Sequence, residues 1–228
     1  MKFLVFGGGG KVSRHFARLA TAEGDEVVSV VRNEDHFPDL KSLGARPVVL
    51  SLETASVPSL TSLLTSERPD AVVWSAGAGG KGDKSRTRTV DYEGAVKVFD
   101  ALEAANVRRL LYVGAIDVRD KTQPPPQHYT PESDMQAKYD AEVELHTRKT
   151  LQFTVLRPGG LTLEPARGVE LGITQVGKTS RELVAQVLLA AAKTKGTEGL
   201  TIDVMDGEGT VEGQLKKVVE GKVDAWTG

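Results

Sequence analysis

The residues best suited to chemistry stand early in the chain, where Lys2-Phe3-Leu4-Val5-Phe6 runs into Gly7-Gly8-Gly9-Gly10-Lys11-Val12-Ser13. An apolar strand, a glycine turn and a helix beginning near Lys11 bring bare backbone up against a pyrophosphate. Glycine is required there because a Cβ would block both the turn and the ligand, and the free N–H groups of the new helix favour an anion. Other chemistry is sparse. The chain has no cysteine, which removes disulfides, thiolate catalysis and most structural zinc sites. His15, His36, His128 and His146 are scattered without metal-ligand spacing, and His128 beside Tyr129 is the histidine placed to approach a substrate.

Those residues must be positioned by alternating strand-like and helix-like segments. The strands read as 2–6, 26–31, 46–50, 70–75, 109–113, 152–156 and 200–204. The helices fall at 11–20, 57–64, 87–105, 132–149, 183–193 and 211–219. Thr179-Ser180-Arg181-Glu182 reads as a capping box for the helix at 183. The alternation predicts an α/β, doubly wound (Rossmann) and mostly parallel sheet of about seven strands, with helices on both faces. We read one domain over 1–228, with a small substrate-side insertion at about 161–178. The loop 117–131, with Pro124-Pro125-Pro126, excludes helix interior and sheet and is expected to overhang a site.

The formal charge of −2 gives no electrostatic case for nucleic acid or an anionic membrane. No apolar run approaches the roughly 20 residues of a membrane span, and the first strand is too short for a signal-peptide core. A cytoplasmic protein, monomer or dimer, with a small-molecule substrate is the expectation.

Five features then act together: the Gly7–Gly10 run with Ser13; Arg32 after strand two; Val90-Asp91-Tyr92-Glu93-Gly94-Ala95; Ala137-Lys138-Tyr139-Asp140-Ala141-Glu142; and Leu156-Arg157-Pro158-Gly159-Gly160-Leu161-Thr162. In this order they resemble the atypical short-chain dehydrogenase/reductases, specifically the small NAD(P)-binding group of flavin/biliverdin-IXβ reductase-like and NADPH-sensor-like proteins. The resemblance places Gly7, Gly10 and Ser13 at the three positions of the family's G-x-x-G-x-x-G/A turn. It implies a cofactor site of Gly7, Gly8, Gly9, Gly10, Lys11, Val12, Arg32, Ser51, Leu52, Ala76, Gly77, Ala78, Val113, Gly114, Lys138, Pro158, Gly159, Gly160 and Leu161.

Strand two ends in Arg32 rather than the acidic residue that would hold a ribose 2′-hydroxyl, which favours NADP(H) over NAD(H). The catalytic Tyr-x-x-x-Lys pair of such enzymes is half present: Lys138 fits, and Asp134 stands where the tyrosine would be. The strand-five serine is replaced by Gly114 or Ala115. Tyr129, Asp134 and Lys138 are the candidate catalytic groups. Hydride transfer to a flavin-, quinone- or carbonyl-type acceptor asks least of the missing residues. A catalytically silent NADP(H) sensor is the alternative, and an epimerase or dehydratase the third reading.

Overall fold

The computed structural model describes residues 1–77, 85–116 and 134–227. Ten strands are described: β1 (Lys2–Phe6), β2 (Glu26–Val31), β3 (Arg46–Val49), β4 (Ala71–Trp74), β5 (Arg109–Val113), β6 (Gln152–Pro158), β7 (Gly160–Thr162), β8 (Gly168–Gly172), β9 (Lys178–Ser180) and β10 (Thr201–Gly207). Eight form one sheet in the order β3-β2-β1-β4-β5-β6-β10-β8, with β8 antiparallel to β10 and the other pairings parallel; β7 and β9 pair separately.

The helices are α1 (Lys11–Ala22), α2 (Phe37–Ser42), α3 (Val57–Glu67), α4 (Ser85–Thr87), α5 (Ala95–Ala104), α6 (Asp134–Thr147), α7 (Arg181–Lys193) and α8 (Val211–Gly221). Successive strand residues point to opposite faces, and β1 is apolar on both. Phe3 and Val5 enter a core with residues of α1, α7 and α8, while Leu4 and Phe6 enter a second core with residues of α3, α5 and α6. Phe3 meets Phe16 edge to face at 5.1 Å, and Trp74 stacks on Tyr112 at 6.2 Å, tying strands to each other and to α1.

The parallel strands stand where hydrophobic patterning placed them. Differences concentrate in residues 160–180, where β7, β8 and β9 form; three-residue strands are too short to show a period. The short helix α2 also carries no pattern of its own. The expected capping box does not form. Thr179 Oγ1 donates to the Val204 carbonyl (2.6 Å) and accepts from the Gly159 N–H (3.0 Å), and Glu182 accepts from Arg18 (2.5 Å). Long-range partners take both halves of the motif. Between α4 and α5 the chain makes a π-helical stretch, Arg88–Gly94, within the expected helix.

The strand order runs outward in opposite directions from β1 and β4. The crevice at their carboxyl ends is the switch point at which such sheets bind ligands.

Candidate functional site

The glycine turn is built at that crevice. Gly7 has a positive φ of 77°, and a Cβ there would stand 2.6 Å from the Ser75 carbonyl oxygen and the Ala76 Cα, so the ends of β1 and β4 touch through bare backbone. The Gly7 carbonyl accepts from the Gly10 N–H (2.9 Å) and from the buried Ser13 hydroxyl (2.8 Å). Ser13 therefore locks the turn as well as being small enough to pack. Gly8 donates to the Val30 carbonyl (2.9 Å). Gly10 caps α1 without a side chain, and no acidic residue lies in the first turn. The N–H groups of Lys11, Val12 and Ser13 have no intrahelical acceptor and suit an anion.

A cleft of about 340 Å³ opens over this turn, lined among others by Gly7, Gly9, Gly10, Arg32, His36 and Gly77. Of the sequence candidates, Ser51, Leu52 and Ala76 also line it. Val12 is buried in the core, and Lys11 lines a separate depression with Arg14, His15, Arg18 and Leu163. Sequence reasoning missed three polar groups on the cleft: His36, Glu53 and Arg86. Arg86 grips Glu53 through two hydrogen bonds, Nη2 to Oε1 at 2.7 Å and Nε to Oε2 at 3.2 Å. Those bonds, with the charges of Arg86 and then Arg32, hold the Glu53 carboxyl below its ordinary value. Neither Arg86 nor Glu53 belongs to a motif, and His36 had no signal beyond closeness to Arg32.

Farther along the sheet edge lie Val113, Gly114 and the turn Pro158-Gly159-Gly160-Leu161, at the ends of β5 and β6. Gly159 packs on the Gly177 carbonyl, leaving no room for a Cβ. Lys138 Nζ is bonded to the buried Asp91 at 2.5 Å. Both face Gly77, where a Cβ would stand 3.0 Å from Asp91 Oδ1 and 3.4 Å from Lys138 Nζ. Asp91, which is not among the sequence candidates for the site, thus stands beside the candidate lysine. Ala78, His128 and Tyr129 lie outside the described residues. Asp134 opens α6, and its side chain is likewise not described.

One turn beyond Lys138, Glu142 is fully buried and accepts from Arg157 Nε at 2.8 Å. Its Oε2 faces Gly114, 3.5 Å from where a Cβ would stand. Burial outweighs the guanidinium and pushes the Glu142 carboxyl up to about 7. Tyr112, buried below, has its phenol pushed well up by burial, then by the charges of Glu142 and Asp91. Among the described residues, no three His, Cys, Asp or Glu side chains are grouped to hold a metal ion, and no helix is long and apolar enough to cross a membrane.

A glycine turn at the switch point of a parallel sheet, opening onto a cleft with cations at one end, defines a dinucleotide-binding Rossmann protein. The chain belongs to the NAD(P)H-binding family, whose model matches residues 7–195. A UPF0659 protein of Schizosaccharomyces pombe is 41% identical over 222 residues, covering 90% of each chain. The structure of a candidate NAD-dependent epimerase/dehydratase from Bacillus halodurans is 30% identical, with a TM-score of 0.83, covering 97% of this chain and 99% of that one. ChuY, an anaerobilin reductase of Escherichia coli O157:H7, shares the fold at 24% identity with a TM-score of 0.73, covering 90% of this chain and 97% of its own. The resemblance to the atypical short-chain dehydrogenase/reductases holds.

Proposed function

We propose that this chain binds NADP(H) in preference to NAD(H) and is an oxidoreductase for a small flavin-, quinone- or carbonyl-type acceptor. The observation that carries the reading is the cleft over Gly7. It joins a turn too tight for any Cβ, an uncapped helix N-terminus, and Arg32 and Arg86 on the side where β2 ends. Guanidinium groups pair with a phosphate dianion, whereas the 2′-hydroxyl of NAD(H) would look for a carboxylate.

NADPH, when bound, supplies a hydride. The chain's own part is to bind and orient. The helix α1 N–H groups would hold the pyrophosphate, Lys138 with Asp91 would hold the nicotinamide ribose, and the Pro158–Gly160 backbone would wall the nicotinamide. The segment at about 161–178 carries the exposed apolar residues Leu161, Leu163, Ile173 and Val176, which suit a flat apolar acceptor. The acceptor's proton comes from water.

One arrangement favours a second reading, a catalytically silent NADP(H) sensor. Gly114 and Asp134 stand where a serine and a tyrosine would act, and Lys138 is already neutralised by Asp91. The epimerase reading, suggested by the name of the Bacillus halodurans relative, asks for a proton-transferring tyrosine at position 134.

Calorimetric titration of NADP⁺ and NAD⁺ into wild type and Arg32→Ala tests the cofactor. Losing a charge-assisted bond of about 1.5–3 kcal/mol should weaken NADP⁺ by roughly 10- to 100-fold and leave NAD⁺ unchanged. NADPH oxidation is then followed with flavins, quinones and aldehydes. Tight binding without turnover selects the sensor, and failure to bind either dinucleotide overturns the reading.

A further inference from the structure

We infer that His36 is a second ligand of the cofactor's 2′-phosphate and that NADP(H) binds together with a proton taken up by its imidazole. This rests on the NADP(H) reading above and adds a residue and a coupling to it.

The geometry starts from Gly9. The imidazole of His36 lies across that glycine, with Nε2 2.9 Å from where a Cβ would stand. Any side chain at position 9 would displace it. The ring is held there by a short 3-10 turn, Glu34–His36, whose N-cap Asn33 side chain accepts from the Asp35 N–H and donates to the Asp35 carboxylate at 2.8 Å. His36 and Arg32 line the same cleft, and neither side chain has a hydrogen bond among the described residues. Arg86, the other cation on the cleft, is gripped by Glu53. Among the described residues, the side chains of Arg32 and His36 are thus both left to donate beside the phosphate-binding turn.

The charges around His36 make its protonation depend on the ligand. On its own turn stand Glu34 and Asp35. Asp39 on α2 is bonded to Arg14 of α1 at 2.8 Å. Arg32 comes from the end of β2, Glu53 from the segment after β3, and Arg86 from α4. A phosphate dianion between Arg32 and His36 would favour the charged imidazole, and histidine is the side chain able to answer near neutral pH. NAD(H), with a hydroxyl at that position, provides no such incentive. Discrimination between the two dinucleotides should therefore widen as pH falls.

The test is calorimetry on the full chain with NADP⁺ and NAD⁺ at pH 6.5 to 8.5, in buffers of different ionisation enthalpy that report protons taken up. Wild type, His36→Gln and His36→Lys are compared. The phosphate's own second ionisation, near ~6, is common to all three and drops out of the differences. Wild type should take up a proton with NADP⁺ but not with NAD⁺, and weaken for NADP⁺ by about tenfold across the range, the worth of one charge-assisted hydrogen bond. His36→Gln should show neither His36-linked effect. His36→Lys, permanently charged, should keep its NADP⁺ affinity to pH 8.5. Tight NADP⁺ binding whose proton uptake and pH slope are the same in wild type and His36→Gln would overturn the inference and leave the NADP(H) reading standing. Loss of binding to both dinucleotides in every protein would overturn both.

Discussion

Substituting Glu142 with glutamine should cost more stability at pH 5 than at pH 8, the reverse of what a simple ion pair with Arg157 would give. Glu142 is fully buried, and burial raises its carboxyl from an ordinary 4.5 to about 7 despite the guanidinium at 2.8 Å. A raised carboxyl means the fold holds a proton that the unfolded chain has released. Its contribution is full below the unfolded value of 4.5 and is lost as pH rises through 7. The gap of about 2.5 pH units, at 1.36 kcal/mol each, corresponds to roughly 3 kcal/mol. At pH 5 glutamine replaces a neutral acid of the same shape; at pH 8 it replaces a buried carboxylate. The destabilisation caused by Glu142→Gln should thus shrink by roughly 2.5 kcal/mol between pH 5 and pH 8, since part of the full contribution is already lost at pH 5.

His146, on the same helix, works in the opposite sense. Burial lowers its imidazole from 6.5 to about 4, so its contribution is present above 6.5 and lost as pH falls through 4. The two slopes oppose each other between pH 4.5 and 6.5 in the wild type. Removing Glu142 unmasks the histidine, and stability of the variant should rise with pH across that window. Urea unfolding, followed by tryptophan fluorescence at pH 5, 6, 7 and 8, reads both effects. A Glu142→Gln variant more damaged at pH 8 than at pH 5 would refute the reasoning, because Glu142 would then be ionised throughout.

Three further outcomes follow from single contacts. Gly7→Ala forces a Cβ onto Ser75 and Ala76 at a positive φ; strain of about 1–2 kcal/mol and loss of dinucleotide binding are expected in urea unfolding and calorimetry. Asp91→Asn removes the charge partner of half-buried Lys138. It should destabilise by about 1–3 kcal/mol, and a double-mutant cycle with Lys138→Met should show that most of this is coupling between the two. Arg109→Met strips donors from the Gln152 and Ala191 carbonyls and from Thr154 and Thr197, each at 2.9 Å. A loss of about 1–3 kcal/mol in the same unfolding assay is expected, with dinucleotide affinity unchanged because the site lies at the other end of the strands.

Patterns spanning a few residues determined much of this protein. The apolar run Phe3–Phe6 has to be a strand buried on both faces, and Gly7 to Ser13 has to be the turn and helix start that follow it. The parallel strands show in the sequence because each is a short apolar run bounded by turns. Lys138 stands out by its place in a family motif, and Arg32 by closing strand two. What tertiary structure decided are the partners. Asp91 meets Lys138 across 47 residues, Arg86 meets Glu53 across 33, and Glu142 meets Arg157 across 15. His36 covers Gly9 because the turn after β2 folds back over the turn after β1. Periodicity reports which face of an element is apolar. It does not report which polar side chains end up opposite one another, because that is set by strand order and by the cost of leaving a buried donor or charge without a partner.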